Sequence, residues 1–215
     1  MEVFGYKIRT VVMPIIVINL IVFLLQLTLG SAFTNSFILI SEDIFTRPWI
    51  LVTSMFLHST FGFSHILFNM YALFLFGPLL EQRIGAKRFL FLYLGSGFVA
   101  AFLSSFFYAR ALGASGAIMG MIGAMIILLP HLRLLLFFVI PMPLWMAGIA
   151  WALIDLFGVF FPSGVGNIAH LVGMGIGLLY GFYLKKEKKN FDRKFHSKKH
   201  LGKDDIEEYL NTGRI

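Results

Sequence analysis

The chain has 215 residues, of which 58% are hydrophobic and only 13% are charged, and its formal net charge is +7. A soluble domain carries about 25% charged residues, so this composition excludes an ordinary globular protein and predicts a helical membrane protein. The absence of cysteine excludes disulfides, thiolate metal sites and cysteine nucleophiles. The positive charge clusters beside apolar segments and in the C-terminal region, which favours membrane lipids over nucleic acid as the partner.

Six apolar segments approach the length of about 20 residues that a transmembrane helix needs. The predicted spans are 11–29, 64–80, 89–109, 115–129, 142–161 and 167–184. The first exceeds the usual ~7–15-residue apolar core of a signal peptide and no small-residue cleavage site follows it, so we expect it to be retained. The expected fold class is an all-α polytopic membrane protein with six transmembrane helices.

The segments outside the spans differ in character. Residues 30–63 form a long amphipathic connection, which we expect to lie in the membrane interface and to contain short helices. Residues 1–184 are predicted to form one six-helix membrane domain. Residues 185–215 are predicted to form a basic, soluble and partly disordered C-terminal tail, with a weak helical stretch at 204–210.

The distribution of positive charge predicts the orientation. With six spans both termini lie on one side, and that side then holds every lysine and arginine except Arg47 and Arg110. Cytoplasmic loops are enriched in these residues, so both termini are expected in the cytoplasm. A six-span unit of this kind is typical of a multi-pass protein of the prokaryotic cytoplasmic membrane.

Polar residues converge at one depth in the predicted bundle. His65 and Asn69 lie early in the second span, Ser115 begins the fourth, and His170 lies one turn into the sixth. These three spans all run from the outer to the inner side, and polar groups inside spans are costly and usually functional. His65 and Asn69 are four residues apart and share a helix face. The pattern predicts a site in the outer part of the membrane.

Small residues predict how the fourth and sixth spans pack. Each span carries a face of glycines that lets a neighbouring helix approach closely. The two faces are Gly116, Gly120 and Gly123, and Gly173, Gly177 and Gly181. Packing them together would bring Ser115 within reach of His170. The fourth span is also short, about 22 Å against a hydrocarbon core of ~30 Å, so Ser115 is expected below the surface, in a hydrated cavity.

The residue types at this site suit nucleophilic catalysis. A serine hydroxyl needs a base to remove its proton, and His170 is the candidate base for Ser115. Asp155 is placed nearer mid-membrane, so no carboxylate is expected to orient His170, and the prediction is a Ser–His dyad. Each residue alone also fits helix packing, and their combination favours catalysis.

A developing oxyanion needs hydrogen-bond donors. His65 and Asn69 could supply them beside the backbone N–H of Ser115. Gly113 and Gly116 flank the serine and allow the tight turn that presents its hydroxyl.

Several motifs occur together in one order and resemble those of the rhomboid family. They are Arg47-Pro48-Trp49, an H…H-x-x-x-N pattern over 58–69, E-x-R-x-G over 81–85, G-x-S-G over 113–116 and A-H-x-x-G-x-x-x-G over 169–177. The resemblance covers about residues 10–184. No single motif is specific, but the set is.

This resemblance implies a rhomboid-like six-helix core and an intramembrane serine protease that needs no metal or cofactor. Ser115 would be the nucleophile and His170 the base, with His65 and Asn69 stabilising the oxyanion. The substrates would be transmembrane proteins cut near the outer face. The fifth span and the cap loop 162–166 would form the access gate.

Two positions depart from the family pattern. His58 and His65 are seven residues apart, whereas the family commonly has five, so a role for His58 is left open. Met119 stands four residues after the serine, where family members often have an aromatic residue beneath the base. Met119 is expected to support His170 in its place.

Two other functions fit part of the pattern. A catalytically inactive relative would bind transmembrane segments without cutting them, although such relatives typically lack the serine or the histidine. A small transporter could use His65, His170 and Asp155 as a proton path, but transporters of this size usually show an internal repeat, and none is evident. The oligomeric state is not predicted.

Overall fold

The computed structural model describes residues 2–3, 6–7, 10–136, 140–161 and 164–196. Within these ranges the chain is mostly helical. The helices are α1 (Val12–Phe37), α2 (Ile50–Thr53), α3 (Ser64–Ile84), α4 (Ala86–Ser104), α5 (Ser115–Leu128), α6 (Leu144–Phe160) and α7 (Asn167–His196). Short strands form three antiparallel pairs: β1 (Glu2–Val3) with β2 (Tyr6–Lys7), β3 (Leu39–Ile40) with β4 (Arg110–Ala111), and β5 (Arg133–Leu136) with β6 (Ile140–Pro143).

A helix lies at each of the six predicted spans. Within the described ranges, three helical segments are long and apolar enough to cross a membrane, namely Val12–Phe37, Ala86–Ser104 and Asn167–Asn190, while α5 and α6 are apolar but shorter. The chain is therefore a membrane protein with apolar helices, and the number of crossings stays a prediction. The strand pairs are additions to the expected all-α architecture.

Helix α1 is kinked where the first span was predicted to end. Gly30 has φ 71°, in the left-handed region that favours glycine, so the helix bends there before it continues to Phe37. At its other end, the backbone N–H of Val11 donates to Glu81 Oε1 of α3 at 2.9 Å. A carboxylate at a helix N-terminus satisfies free N–H groups and complements the helix dipole. The first residue of the E-x-R-x-G motif therefore anchors α1.

The predicted packing of the two glycine faces is confirmed. A Cβ on Gly173 would lie 2.0 Å from the carbonyl oxygen of Gly116, and one on Gly177 would lie 1.9 Å from that of Gly120. Nothing larger than hydrogen fits at either position unless the backbones separate. Helices α5 and α7 are therefore in direct backbone contact, and α5, buried along most of its length, forms the centre of the bundle.

The connection between α1 and α3 contains short helices, as predicted. It packs on α4 through a small apolar core of its own and pairs β3 with β4, the strand just before α5. The N–H of Gly113 also donates to the carbonyl oxygen of Ser54 in this connection at 2.9 Å. The connection thus holds the loop that leads into Ser115.

The predicted boundary between membrane domain and tail falls inside a helix. Helix α7 continues without a break past residue 184 to His196, so the first part of the predicted tail is helical, and its separation from the membrane domain stays a prediction. This stretch is rich in Lys, which is a good helix former, and has no Gly or Pro. Both carboxylate oxygens of Glu187 also accept from Arg88 of α4 at 3.1 Å. The predicted helical stretch at 204–210 lies outside the described residues.

Candidate active site

Ser115 is the first residue of α5, and Gly113 shapes its surroundings. Gly113 has φ 124°, which L side chains rarely adopt. A Cβ at this position would also lie 2.9 Å from both Cε1 and Nε2 of His65, and 3.8 Å from Ser115 Oγ. Gly113 is therefore required twice over, by its backbone angle and by the close approach of His65. The half-buried Ser115 and the His65 ring meet around this glycine.

The His65 ring directs its Nε2 atom towards Gly113 and Ser115. Its Nδ1 accepts a hydrogen bond from the backbone N–H of Ser59 at 3.3 Å. A neutral imidazole that accepts at Nδ1 carries its proton on Nε2. Because Nε2 is the atom that approaches Gly113, the ring directs an N–H donor towards the surroundings of Ser115.

His170 is held by a carboxylate, which corrects the expectation that none would orient it. Its Nδ1 lies 2.9 Å from Oδ1 of Asp155 in α6, and both side chains are buried. The expected difference in depth between Asp155 and His170 was wrong because of where the helices end. Asp155 lies five residues before the end of α6 and His170 three residues after the start of α7. At 1.5 Å per residue their depths differ by only about 3 Å, which side chains easily span.

The carboxylate determines which histidine nitrogen can act as a base. An ionised Asp155 accepts the Nδ1 proton, so the neutral His170 ring keeps its lone pair on Nε2. The second oxygen, Oδ2, is buried without a hydrogen-bond partner among the described residues. Ionisation of His170 would therefore place a positive charge directly beside a buried acceptor.

The backbone next to Ser115 adjoins that of His170. The α-carbon of Gly116 packs on the carbonyl of Ala169, from which a Cβ would be 3.5 Å away. Consecutive residues of α5 and α7 thus bring Ser115 and His170 to one region. Within the described part of the chain, no hydrogen bond yet joins the Ser115 hydroxyl to His170. Catalytic hydrogen bonds often tighten only with substrate bound.

Two other predicted residues each lie one helical turn from a residue of this site. Asn69 is buried one turn after His65, and its Nδ2 donates to the His65 carbonyl at 2.8 Å. An amide NH₂ has two hydrogens, so a second donor remains. Met119 is buried one turn after Ser115. Its support of His170 stays a prediction.

A model of the Rhomboid domain matches residues 46–187, most of the chain. The chain belongs to the rhomboid family. It is similar to Rhomboid protein 1, mitochondrial, of Saccharomyces cerevisiae, with 34% identity over 83% of this chain and 54% of the yeast protein. It is also similar to Rhomboid protease GluP of Bacillus subtilis, with 32% identity over 76% of this chain and 32% of that protein. For Rhomboid protease GlpG of Haemophilus influenzae the identity is 33%, over 59% of this chain and 65% of the relative.

The chain spans about half the length of the yeast relative. Membership of the family therefore does not by itself give this chain the activity, substrates or partners of the longer proteins. These relatives come from bacteria and, by name, from a mitochondrion. The host membrane and the orientation in it therefore stay predictions.

In this rhomboid, His58 lies beside His65 despite the unusual spacing. The two ring centroids are 5.1 Å apart with an edge-on orientation, and the two extra residues are absorbed in a turn where Gly62 has φ 105°. Burial, reinforced by the neighbouring His65, lowers the pKa of His58 to about 4, so this ring is neutral at physiological pH. The described residues contain no cluster of three metal-ligating side chains around this pair.

Sequence reasoning overlooked two residues that hold the rhomboid site together. Gln26 of α1 bonds to the backbone of His58, and the phenolic oxygen of Tyr108 accepts the N–H of Ile168, in the first turn of α7, at 3.1 Å. A buried glutamine in an apolar span is a signal that could have been followed. Tyr108, at the end of a span where aromatic residues are common, carries no such signal.

Proposed function

We propose that this rhomboid is an intramembrane serine endopeptidase that cleaves transmembrane proteins near the outer face of the membrane. The observation that carries the proposal is the buried contact between His170 Nδ1 and Asp155 Oδ1. It keeps the lone pair of the other ring nitrogen free, beside the helix that begins with Ser115. A histidine that served only in packing would not need this arrangement of proton and lone pair.

In the proposed reaction Ser115 Oγ attacks the carbonyl carbon of the scissile peptide bond while His170 Nε2 takes its proton. The tetrahedral intermediate collapses when His170 returns the proton to the leaving amine, which leaves an acyl-enzyme ester. Water then attacks this ester with His170 as base again. The bond from the acyl carbon to Ser115 Oγ breaks as His170 returns the proton to Oγ, and the new carboxyl terminus is released. Asp155 holds the ring and stabilises the imidazolium in both steps, so it extends the predicted dyad.

The oxyanion of the intermediate would be stabilised from two sides. The Nε2–H of His65 and the free amide hydrogen of Asn69 come from α3. The backbone N–H groups of the first turn of α5, including that of Ser115, come from the other side. The first N–H groups of a helix have no partner within it, and the positive end of the helix dipole favours an anion there. These donors are already in place when the negative charge develops on the oxygen, as electrostatic catalysis requires.

The location of the site supports cleavage near one face of the membrane. The residues of the site lie at the N-terminal ends of α3, α5 and α7, all at one end of the bundle. Most of the lysines and arginines outside the long connection fall at the opposite ends of these helices, which the positive-inside rule assigns to the cytoplasm. With α1 and α3 to α7 as six crossings, the site faces the outer side and both termini face the cytoplasm.

Activity-based labelling tests this proposal. Purified protein in detergent is treated with a fluorescent fluorophosphonate, and Ser115→Ala and His170→Ala are compared with wild type. Labelling of wild type should disappear in both variants while their thermal unfolding stays normal. Ser31→Ala, which removes an exposed serine of α1, should label like wild type.

Cleavage of a transmembrane substrate in proteoliposomes completes the test. Labelling or cleavage that persisted in Ser115→Ala would refute the assignment of the nucleophile. A well-folded wild type that binds transmembrane segments but neither labels nor cuts would instead be a non-proteolytic member of the family.

A further inference from the structure

Gln26 makes an unusual pair of hydrogen bonds inside the bundle. It lies on α1 with only 2% of its surface exposed. Its Oε1 accepts the backbone N–H of His58 at 2.9 Å, and its Nε2 donates to the carbonyl oxygen of the same residue at 3.0 Å. This side chain therefore bonds to one residue of the connection as a neighbouring β-strand would. Both the position and the orientation of the His58 backbone are fixed.

The next backbone group in the chain carries this constraint to the candidate site. The N–H of Ser59 follows directly after His58 and donates to His65 Nδ1 at 3.3 Å. Because that bond keeps the His65 proton on Nε2, the orientation of the 58–59 backbone selects the tautomer. The Nε2 atom is the one that faces Gly113. A continuous series of contacts thus runs from α1 to the donor nearest Ser115.

We propose that Gln26 is a positioning residue for oxyanion stabilisation. It holds the 58–59 backbone so that His65 keeps its proton on Nε2 and its ring against Gly113. The proposal rests on the proposed function, because it names what prepares the donor used in that reaction. Gln26 itself is too far along this series of contacts to touch the substrate.

A purely structural role for Gln26 predicts different behaviour. Its Nε2 also lies 3.3 Å from Thr34 Oγ1, beyond the kink of α1, so it contributes to that bend as well. Asn19 offers a matched comparison on the same helix. It is fully buried two turns earlier, and its Nδ2 bonds only within α1, to the Ile15 carbonyl at 2.8 Å. Among the described residues, Asn19 makes no hydrogen bond to the connection.

The first experiment measures kcat and KM for cleavage in proteoliposomes. Gln26→Met keeps the length of the side chain and removes both hydrogen bonds. We expect kcat to fall about tenfold with KM within twofold, a smaller loss than the 10²–10³ that removal of an oxyanion donor itself costs. Asn19→Leu and Thr34→Val should leave kcat within about twofold. An unchanged kcat for Gln26→Met would overturn the proposal.

A double-mutant cycle separates positioning from general destabilisation. In a His65→Ala background the donor is absent, so adding Gln26→Met should change the remaining rate by less than about twofold. The same tenfold loss in both backgrounds would show that Gln26 acts on the fold and not through His65. If Gln26→Met does not fold, Gln26→Asn, which keeps an amide but is one methylene shorter, replaces it in the cycle.

A readout without turnover keeps this inference distinct from the proposed function. The ¹⁵N chemical shifts of the His65 ring report which nitrogen carries the proton. Wild type should show Nε2 protonated and Nδ1 bare, and Gln26→Met should show a mixture of the two tautomers. A wild type that neither labels nor cleaves would refute the protease, and an unchanged tautomer in Gln26→Met would refute the role of Gln26.

Discussion

Helices α6 and α7 hold two neighbouring parts of the site in very different ways. Helix α7 meets α5 backbone to backbone along a row of glycines. Helix α6 buries only Leu144, Gly148 and Asp155, and most of its large apolar side chains face outwards. The serine and the base therefore belong to a rigid pair of helices, whereas the carboxylate that orients the base belongs to a loosely packed one. A tightly packed helix pair and a helix with few buried residues thus meet at one histidine.

This difference has a physical origin in side-chain size. Glycines let the backbones of two helices touch and leave no gap between them. Neither helix can then shift without a clash, so the contact has one arrangement. A narrow stripe of three buried residues contributes much less contact, and such elements open at lower free energy. The role of the fifth span as the access gate would require such an opening, and it stays a prediction. The cap residues 162–163 lie outside the described part of the chain.

Breaking the rigid pair should have the largest effect. Gly173→Val would place side-chain atoms where a Cβ already lies 2.0 Å from the Gly116 carbonyl. We expect a destabilisation of at least about 3 kcal/mol and loss of all labelling, since overpacking against backbone cannot be relieved locally. Thermal unfolding in detergent measures it. Gly175→Ala, whose Cβ would meet nothing within 4 Å, is the control and should unfold like wild type.

Removing the carboxylate of the loose helix should damage catalysis and spare the fold. Asp155→Asn replaces an acceptor by a group that can donate to His170 Nδ1, which favours the wrong tautomer. We expect kcat to fall at least about 100-fold at neutral pH, with KM and the unfolding temperature little changed. Asp43→Asn, at the half-buried ion pair with Arg47 far from His170 in sequence, should keep full activity. A fully active Asp155→Asn would leave the original dyad as the better description.

Acidification should lower the free energy of unfolding through His58, which lies in the connection between α1 and α3. The folded-state pKa of His58, about 4, lies below the ordinary histidine pKa of 6.5, so the unfolded chain binds its proton first as the pH falls. Stability is then complete above pH 6.5 and falls as the pH drops towards 4, by at most about 1.4 kcal/mol per pH unit. In thermal unfolding at several pH values, His58→Phe should lose less stability on acidification than wild type. Replacing the exposed His131 by Gln should not alter the slope.

The smallest effect is expected where α6 and α7 meet through a side chain. A Cβ on Gly158 would lie 2.5 Å from Nδ2 of Asn167, which can move more easily than a backbone carbonyl. Gly158→Ala should therefore cost only about 1 kcal/mol of stability and reduce kcat a few-fold, because Asp155 lies one turn away. A loss as large as that of Gly173→Val would show that α6 is as rigid as α7, and the comparison would fail.

Much of the core of this rhomboid could be predicted from sequence, because it depends on periodicity. The glycine faces and the shared face of His65 and Asn69 follow from helical geometry alone. The contact of Asp155 with His170 could not, because it depends on where two helices end around a loop. Gln26 was missed for a different reason. Its partner is the backbone of a residue 32 positions away. Because almost every residue type has the same backbone groups, the sequence does not indicate such a partner.

The anchoring of α1 by Glu81 has a consequence for the whole bundle. Val11 is held by that carboxylate at one end of the helix, and Gln26 is held by the connection fifteen residues later. At 1.5 Å per residue these two fixed points are about 22 Å apart. A rod attached at two points can neither slide nor turn about its axis. The length of helix α1 therefore fixes the distance between the E-x-R-x-G turn at one end of the bundle and the level at which the connection meets His65.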